Sequence, residues 1–368
     1  MAARPATRTT RERPAEAHAR PAVRDLSRGP ASFRIDWDVR PAFDFVFSLW
    51  DDAGETEDLP AKDREWLAES KAAMPPEIGT AFKRLFDSGI CTHVAVIAVD
   101  KPEVRTAADL VSAVAKTPYK DVILGIFDEG PNEPAFQPLI EQALNGDQKA
   151  LEAVSEELPE WKREARIEVL KEPERNVSDL VEVLGWWSTA FGEIEGRITD
   201  IIERDYELRA ADREMLAPVD LIERTTGGIR WLPEAGVRRV ILAPSYFSRP
   251  YNFLMNAADW RLFGYPVSDD ALEANDPLAA PQSVVRLHRA LGDETRLRIL
   301  KLLAGRDLYL TEIAQQLDLS KPTIKHHLAL LRSAGLVTIT ESGTVVYYSL
   351  RRNRLDDASA DIKRFLIG

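Results

Sequence analysis

The chain has 368 residues, a length at which a single hydrophobic core gives way to two, so two folded units plus tails are expected. Apolar residues make up 45% and charged residues 29%, but no apolar run approaches the ~20 residues of a membrane-spanning helix, which excludes a membrane partner of that kind. The net charge of −12 opposes nucleic acid only on average: Pro281 to Gly368 carries 14 Lys+Arg against 9 Asp+Glu, a net of +5, and the remainder nets −17. A nucleic acid would therefore be met by the C-terminal end and repelled by the rest.

In chain order, residues 1–31 are rich in Ala, Arg and Pro, with seven Arg against three acids, and read as a disordered tail without the apolar stretch of a secretory signal. An acidic, mainly helical domain is expected over 32–276. Its helices are Glu65 to Met74, Pro76 to Asp87, Thr106 to Ala115, Gln148 to Leu170 and Asn176 to Arg204, all with apolar residues at steps of three and four. In the last of them Leu180, Leu184, Trp187, Phe191, Ile194, Ile198 and Ile201 form one buried stripe. The acidic residues between Asp51 and Glu69 lack calcium-loop spacing and read as a solvated loop and helix start. Cys91 is the one cysteine. It excludes an internal disulfide and fits the reducing cytoplasm. On a strand it would share a face with His93, the arrangement a Cys-His nucleophile needs, but no third orienting group accompanies the pair and catalysis is not expected.

The run GIRWLPEAGVRRVILAPSYF, with β-branched residues in short stretches between Gly and Pro, suits a small sheet. The preceding TTGG lacks the spacing and Lys of a phosphate-binding loop and reads as a turn. Trp231, Tyr246, Tyr251, Trp260 and Tyr265 are aromatic residues that line an effector pocket on one reading and fill the core of the sheet on the other, the second being favoured. A linker, NDPLAAPQS, closes the domain.

From 277 onward the pattern sharpens. Val284, Leu287 and Leu291 mark a first helix, and Leu297, Ile299, Leu300 and Leu303 supply the buried side of a second. A short helix capped by Thr311 buries Ile313, Ala314 and Leu317, turns at Asp318 and Leu319, and is followed by a helix opening at Ser320 with Pro322 in its first turn. Ile324, Leu328 and Leu331 anchor that helix from behind, so Lys321, Thr323, Lys325 and His326 face outward at its N-terminal end, where a recognition helix meets base edges, with His327 beside them. Beyond Gly335, LVTIT and VVYYSLR form a hairpin whose tip carries Ser342 and Thr344, and Arg351 and Arg352 follow with charge for phosphates. Leu355, Ile362 and Leu366 line one side of a final helix. An apolar stripe left over on the first and last helices would suit a symmetric dimer.

The runs LGDETRLRILKLLAG, LTEIAQQLDLSKPTIKHHLALLRSAGLV and VTITESGTVVYYSL resemble, in order and spacing, an ArsR-type winged helix repressor over about a quarter of the chain. The resemblance implies a homodimer that occupies operator DNA and leaves it on sensing a signal. It also implies that Ser320, Lys321, Thr323, Lys325, His326 and His327 read bases or phosphates. Where many members carry a metal-sensing Cys pair this chain has Tyr309 and Thr311, and its last helix offers Asp356, Asp357 and Asp361 without a histidine. Neither a metal nor another cofactor is expected at those places. The overall expectation is an α+β, mainly α protein: a helical N-terminal domain with a small β portion, then a C-terminal winged helix-turn-helix domain over 277–368. Its partners would be double-stranded DNA, a second copy of the chain and a small-molecule effector. The alternative is an enzyme or a protein-docking scaffold in the middle domain carrying a DNA-binding tail.

Overall fold

A computed structural model describes residues 33–50, 58–99, 101–127, 136–158, 160–257, 259–272, 280–342 and 345–367. The N-terminal tail, most of the linker and most of the acidic loop after Asp51 lie outside the described residues.

The N-terminal domain runs β1 (Arg34–Trp37), α1 (Pro41–Phe47), α2 (Ala61–Ala72), α3 (Pro76–Ser88), α4 (Ile90–Val99), α5 (Ala107–Lys116), α6 (Tyr119–Phe127), α7 (Gln137–Leu144), α8 (Gln148–Glu157) and α9 (Glu160–Lys171). It continues through α10 (Pro173–Gly192), α11 (Glu195–Leu208), α12 (Ala210–Met215), α13 (Pro218–Thr225), β2 (Arg239–Ser245), β3 (Phe253–Asn256) and β4 (Trp260–Pro266). Proline in the first turn starts α1, α3, α10 and α13, where its missing N–H costs nothing. Thr106 and Asp109 cap α5 reciprocally, each side chain accepting from the other's backbone N–H at 3.1 Å.

Two helices expected as single rods are broken. Gln148 to Leu170 divides into α8 and α9 after Leu158, whose extended backbone ends the first. Asn176 to Arg204 divides into α10 and α11 across Glu193 and Ile194, although the apolar period continues through the break. Cys91 and His93 fall on α4, a helix, so the strand geometry that a paired nucleophile required is not there.

The strands form one sheet in the order β1-β2-β4-β3, with β1/β2 and β2/β4 parallel and β3/β4 antiparallel. A parallel pair needs a crossover, and between β1 and β2 that crossover contains α1 to α13. Alternate residues of the central strands serve two cores. Ile241, Ala243 and Leu262 face the helical core, whereas Val240, Leu242, Phe263 and Tyr265 face a smaller cluster with Ile222, Ile229 and Trp231. Inside the larger core, Trp187 Nε1 donates to Ser48 Oγ at 2.8 Å and so joins α10 to the end of α1. Asp44 of α1 joins the helix to the end of β2, accepting from Ser245 Oγ and from the Tyr246 and Phe247 amides at 2.9 and 3.0 Å.

The winged helix domain runs α14 (Gln282–Leu291), α15 (Glu294–Leu303), β5 (Leu308–Tyr309), α16 (Leu310–Leu317), α17 (Lys321–Ser333), β6 (Val337–Ser342), β7 (Val345–Leu350) and α18 (Arg352–Ile367). Its sheet has the order β5-β7-β6, and its core joins Leu287, Ile299, Leu303, Ile313, Leu328 and Leu336. Leu297, expected inside, is 48% exposed. Asp293 caps α15 by accepting from the Arg296 amide at 2.8 Å.

Burial, opposed by the three hydrogen bonds, pushes the Asp44 carboxyl up to about 6. A raised carboxyl favours the folded state most below the unfolded value and loses that contribution as pH rises through the folded one. Between pH 4 and pH 7 the unfolding free energy of the native chain should therefore fall by about 2 kcal/mol relative to Asp44→Asn. Denaturant titrations of both chains at the two pH values check this, and a constant difference refutes it.

Candidate nucleic-acid interface

The helix-turn-helix is built from two helix ends that use the same device. After α16 the chain turns at Asp318 in the left-handed conformation, φ 54°. The Leu319 amide there reaches back to the Ala314 carbonyl at 3.1 Å. After α17 Gly335 takes φ 69°, with Gly335 N–H on Arg332 O at 2.8 Å and Leu336 N–H on Leu331 O at 3.0 Å. Both are Schellman closures that satisfy terminal carbonyls. Between them Ser320 is the N-cap of α17, its Oγ accepting from the Thr323 amide at 3.3 Å and lying 2.7 Å from Thr323 Oγ1. Helix α16 begins one residue before Thr311, and its cap comes from Glu312, whose carboxylate accepts from the Tyr309 amide at 3.2 Å.

Ile324, Leu328 and Leu331 are buried at 0%, 1% and 0% exposure. Ser320, Lys321, Thr323, Lys325 and His326 are exposed. These five lie at the positively polarised N-terminal end of α17, where backbone N–H groups and ammonium groups both favour an anion. His327 is turned differently: it is half-buried, with Nδ1 3.8 Å from an Asp293 carboxylate oxygen.

The wing is the β6/β7 hairpin, in register from Val337↔Leu350 to Ser342↔Val345. Thr344 lies outside the described residues, and of Ser342 only the backbone is described. Arg351 and Arg352, expected to face phosphates, are engaged within the chain. Arg351 Nη1 donates to Gly227 O in the N-terminal domain at 2.6 Å, and Arg352 Nη2 to Ala304 O at 2.7 Å. Burial draws the Arg351 guanidinium below its ordinary range.

The TTGG turn therefore has a structural role that the sequence did not reveal. Gly227 and Gly228 have φ 70° and 128°, and a Cβ on Gly228 would lie 3.1 Å from Thr338 Cγ2 of the wing. Only glycine combines that conformation with that approach. The next residue, Ile229, forms a β-bridge with Ile339 on the edge strand of the wing. The Ser283 amide at the start of α14 donates to Asp269 at 2.6 Å, and Arg286 pairs with Asp58.

The aromatic residues considered for a pocket are packed instead. Trp231 meets Phe33 edge-on at 4.8 Å, Tyr246 is fully buried with its hydroxyl on Asp63, and Tyr265 is fully buried against Trp37. Trp260 is 3% exposed in the larger core. Their rings fill the space that a ligand would need. Tyr251 differs, being half-buried at the edge of an interdomain cleft. The first-helix stripe is likewise covered within the chain, with Val284 and Leu287 buried, whereas Leu355, Leu366 and Ile367 of α18 remain exposed.

A tight helix-turn-helix, a hairpin wing and a cationic outward face on the second helix together define a winged helix DNA-reading module. Residues 293–338 match the family described as bacterial regulatory protein, arsR family. The chain is 40% identical over 70 residues to the transcriptional repressor SdpR of Bacillus subtilis (strain 168), covering 19% of this chain and 78% of that one. It is 38% identical over 82 residues to the HTH-type transcriptional regulator KmtR of Mycobacterium tuberculosis, covering 22% and 63%. Among solved structures, HlyU from Vibrio cholerae N16961 aligns at 30% identity with a TM-score of 0.20, covering 24% of this chain and 95% of that one. Through its C-terminal domain the chain belongs to the arsR family of bacterial regulatory proteins.

Because Ser320 closes the first turn of α17, Ser320→Ala should lower stability by about 1 kcal/mol, whereas Ser320→Gly should cost only a few tenths. Denaturant unfolding of the three full chains distinguishes this from a surface position, at which both changes are neutral.

Proposed function

We propose that the chain is a homodimeric repressor that reads the major groove of operator DNA with the N-terminal half of α17 and works in the cytoplasm. The observation that carries the reading is the exposure of Lys321, Thr323, Lys325 and His326 on a helix whose opposite side is fully buried. Lys321 and Lys325 stand one turn apart and would neutralise phosphates or meet guanine edges, while Thr323 and His326 lie between them within reach of bases. Ser320 and the N-terminal amides of α17 would meet a backbone phosphate. His327 supports the helix from the Asp293 side, and the wing tip with Ser342 and Thr344 would follow the flanking minor groove.

The repressor assignment follows the name of SdpR, and dimerisation follows the apolar residues that α18 leaves exposed. The contacts of the acidic domain with α14 and with the wing support a regulatory role for it, as a part that biases how the reader is held.

Reversing both cations, Lys321→Glu with Lys325→Glu, should abolish duplex binding with no change in circular dichroism. Neutralising them to Gln should instead reduce the slope of log K against log salt by about 2. Anisotropy titrations across a salt series measure both, and an unchanged slope refutes the assignment of this face. The dimer predicts inverted half-sites about 34 Å apart. Footprinting that reveals one unrepeated site refutes it.

A further inference from the structure

The seven arginines of residues 1–31, set against three acids, have no part in the function proposed above. The place where that segment joins the fold gives them one. Phe33, the first described residue, packs its ring edge-on against Trp231 at 4.8 Å. Two residues before Trp231, Ile229 bridges to Ile339 of β6, and three residues beyond Ile339 the wing strand ends at Ser342. A ring contact, a bridge and five residues of chain sum to at most ~35 Å between Phe33 and the end of that strand. A chain spans up to ~3.6 Å per residue. The thirteen residues from Arg20 to Phe33 can therefore cover the distance, and Arg4, Arg8, Arg11 and Arg13 lie beyond them.

The folded surface at this root does not compete for them. Asp36 accepts from Arg34 and Arg239 at 3.2 and 3.0 Å, and Glu234 from Arg261 at 2.6 Å. Asp259 forms no ion pair among the described residues, and neither does Arg238, exposed beside it with its amide on the Asp259 carbonyl. Duplex DNA carries one negative charge per ~1.7 Å of its axis, a density that such a mixed surface does not match. A guanidinium fork meets a phosphate in two parallel hydrogen bonds.

We propose that residues 4–20 are an arginine arm that binds the phosphates of duplex DNA beside the wing, a proposal that rests on the reading of α17 and the wing as the DNA-facing side. Its arginines neutralise phosphates without reading bases, so the arm adds affinity on any sequence and leaves the choice of sequence to α17. The chain then holds DNA with segments from both of its ends, although its net charge is −12.

Anisotropy titrations of the full chain with a mixed-sequence duplex of about 30 base pairs, across a salt series, test the arm. Arg8→Gln, Arg11→Gln, Arg13→Gln and Arg20→Gln together should reduce the slope of log K against log salt by about 3, close to 0.9 for each arginine. Lys83→Gln, Arg105→Gln, Lys116→Gln and Lys149→Gln, four exposed cations of the helical domain, make the same change in net charge and should leave the slope as it is. The chain with Lys321→Gln and Lys325→Gln keeps the two assignments apart. If it lowers the slope and the arm variant does not, the arm is refuted and α17 stands; if only the arm variant lowers it, the arm stands and the face on α17 is refuted. A native chain that binds no duplex overturns both. An arm variant that binds tighter, which places the segment on the acidic domain, or a helical-domain control that lowers the slope equally, overturns the arm.

Discussion

The burial of three aliphatic side chains determines what the C-terminal domain can do. Ile324, Leu328 and Leu331 lie at steps of four and three on α17, and removing each from water contributes roughly 1.5–3 kcal/mol. A rotation of the helix by one residue, about 100°, would exchange them for Lys325, Ala329 and Arg332 in one direction and for Thr323, His327 and Leu330 in the other. Burying an unpaired cation costs more than the aliphatic gain. The outward direction of Lys321 and Lys325 is therefore a consequence of core packing and needs no DNA to establish it. The closures at Asp318 and Gly335 fix where the helix can begin and end, which leaves it no freedom to slide.

How much was legible in the sequence follows from how local each signal is. The caps at Ser320 and Gly335, the step pattern of α17 and the hairpin are written within a few residues, and each lies where its residues indicate. Strand β5 was not legible, because two residues carry no period and Leu308 and Tyr309 become a strand only by pairing with β7. The breaks at Leu158 and Glu193 were hidden for the opposite reason: the apolar stripe runs across them, since successive helices bury the same side of the chain. Arg351 shows the limit of charge reading. It looks like a phosphate ligand by position, and its acceptor is a carbonyl 124 residues earlier in the chain.

The N-terminal domain shows the same dependence on distant partners at a larger scale. β1 and β2 are parallel neighbours, Arg34 opposite Arg239, with thirteen described helices between them in sequence. The inner side of the sheet, with Ile241, Ala243 and Leu262, belongs to the same buried core as those helices, so sheet and helices cover one another. Local patterns located the helices but not the pairing. The aromatic stretch was ambiguous for that reason: whether Tyr246 and Tyr265 line a space or fill it depends on how closely α2 and α11 approach, and the burial of Asp63 and Asp205 beside them shows that they approach fully.

Two surfaces of one small domain are thus given different work. The exposed end of α17 faces solvent, while β6, α14 and Arg351 are held by the acidic domain through Ile229, Asp269, Asp58 and Gly227. Edge strands invite pairing, and here the β-bridge from Ile229 meets that of the wing within the chain. Any influence of the acidic domain on reading must pass through the body of the winged helix, because the docking contacts and Lys321 do not share a residue. The available route is short: α14 packs against α17, and the same α14 carries Arg286 and Ser283. A signal travels along that route only by favouring one arrangement of α14 over another. The Arg286–Asp58 pair and the Ser283–Asp269 hydrogen bond are the contacts on that route that tie α14 to the acidic domain.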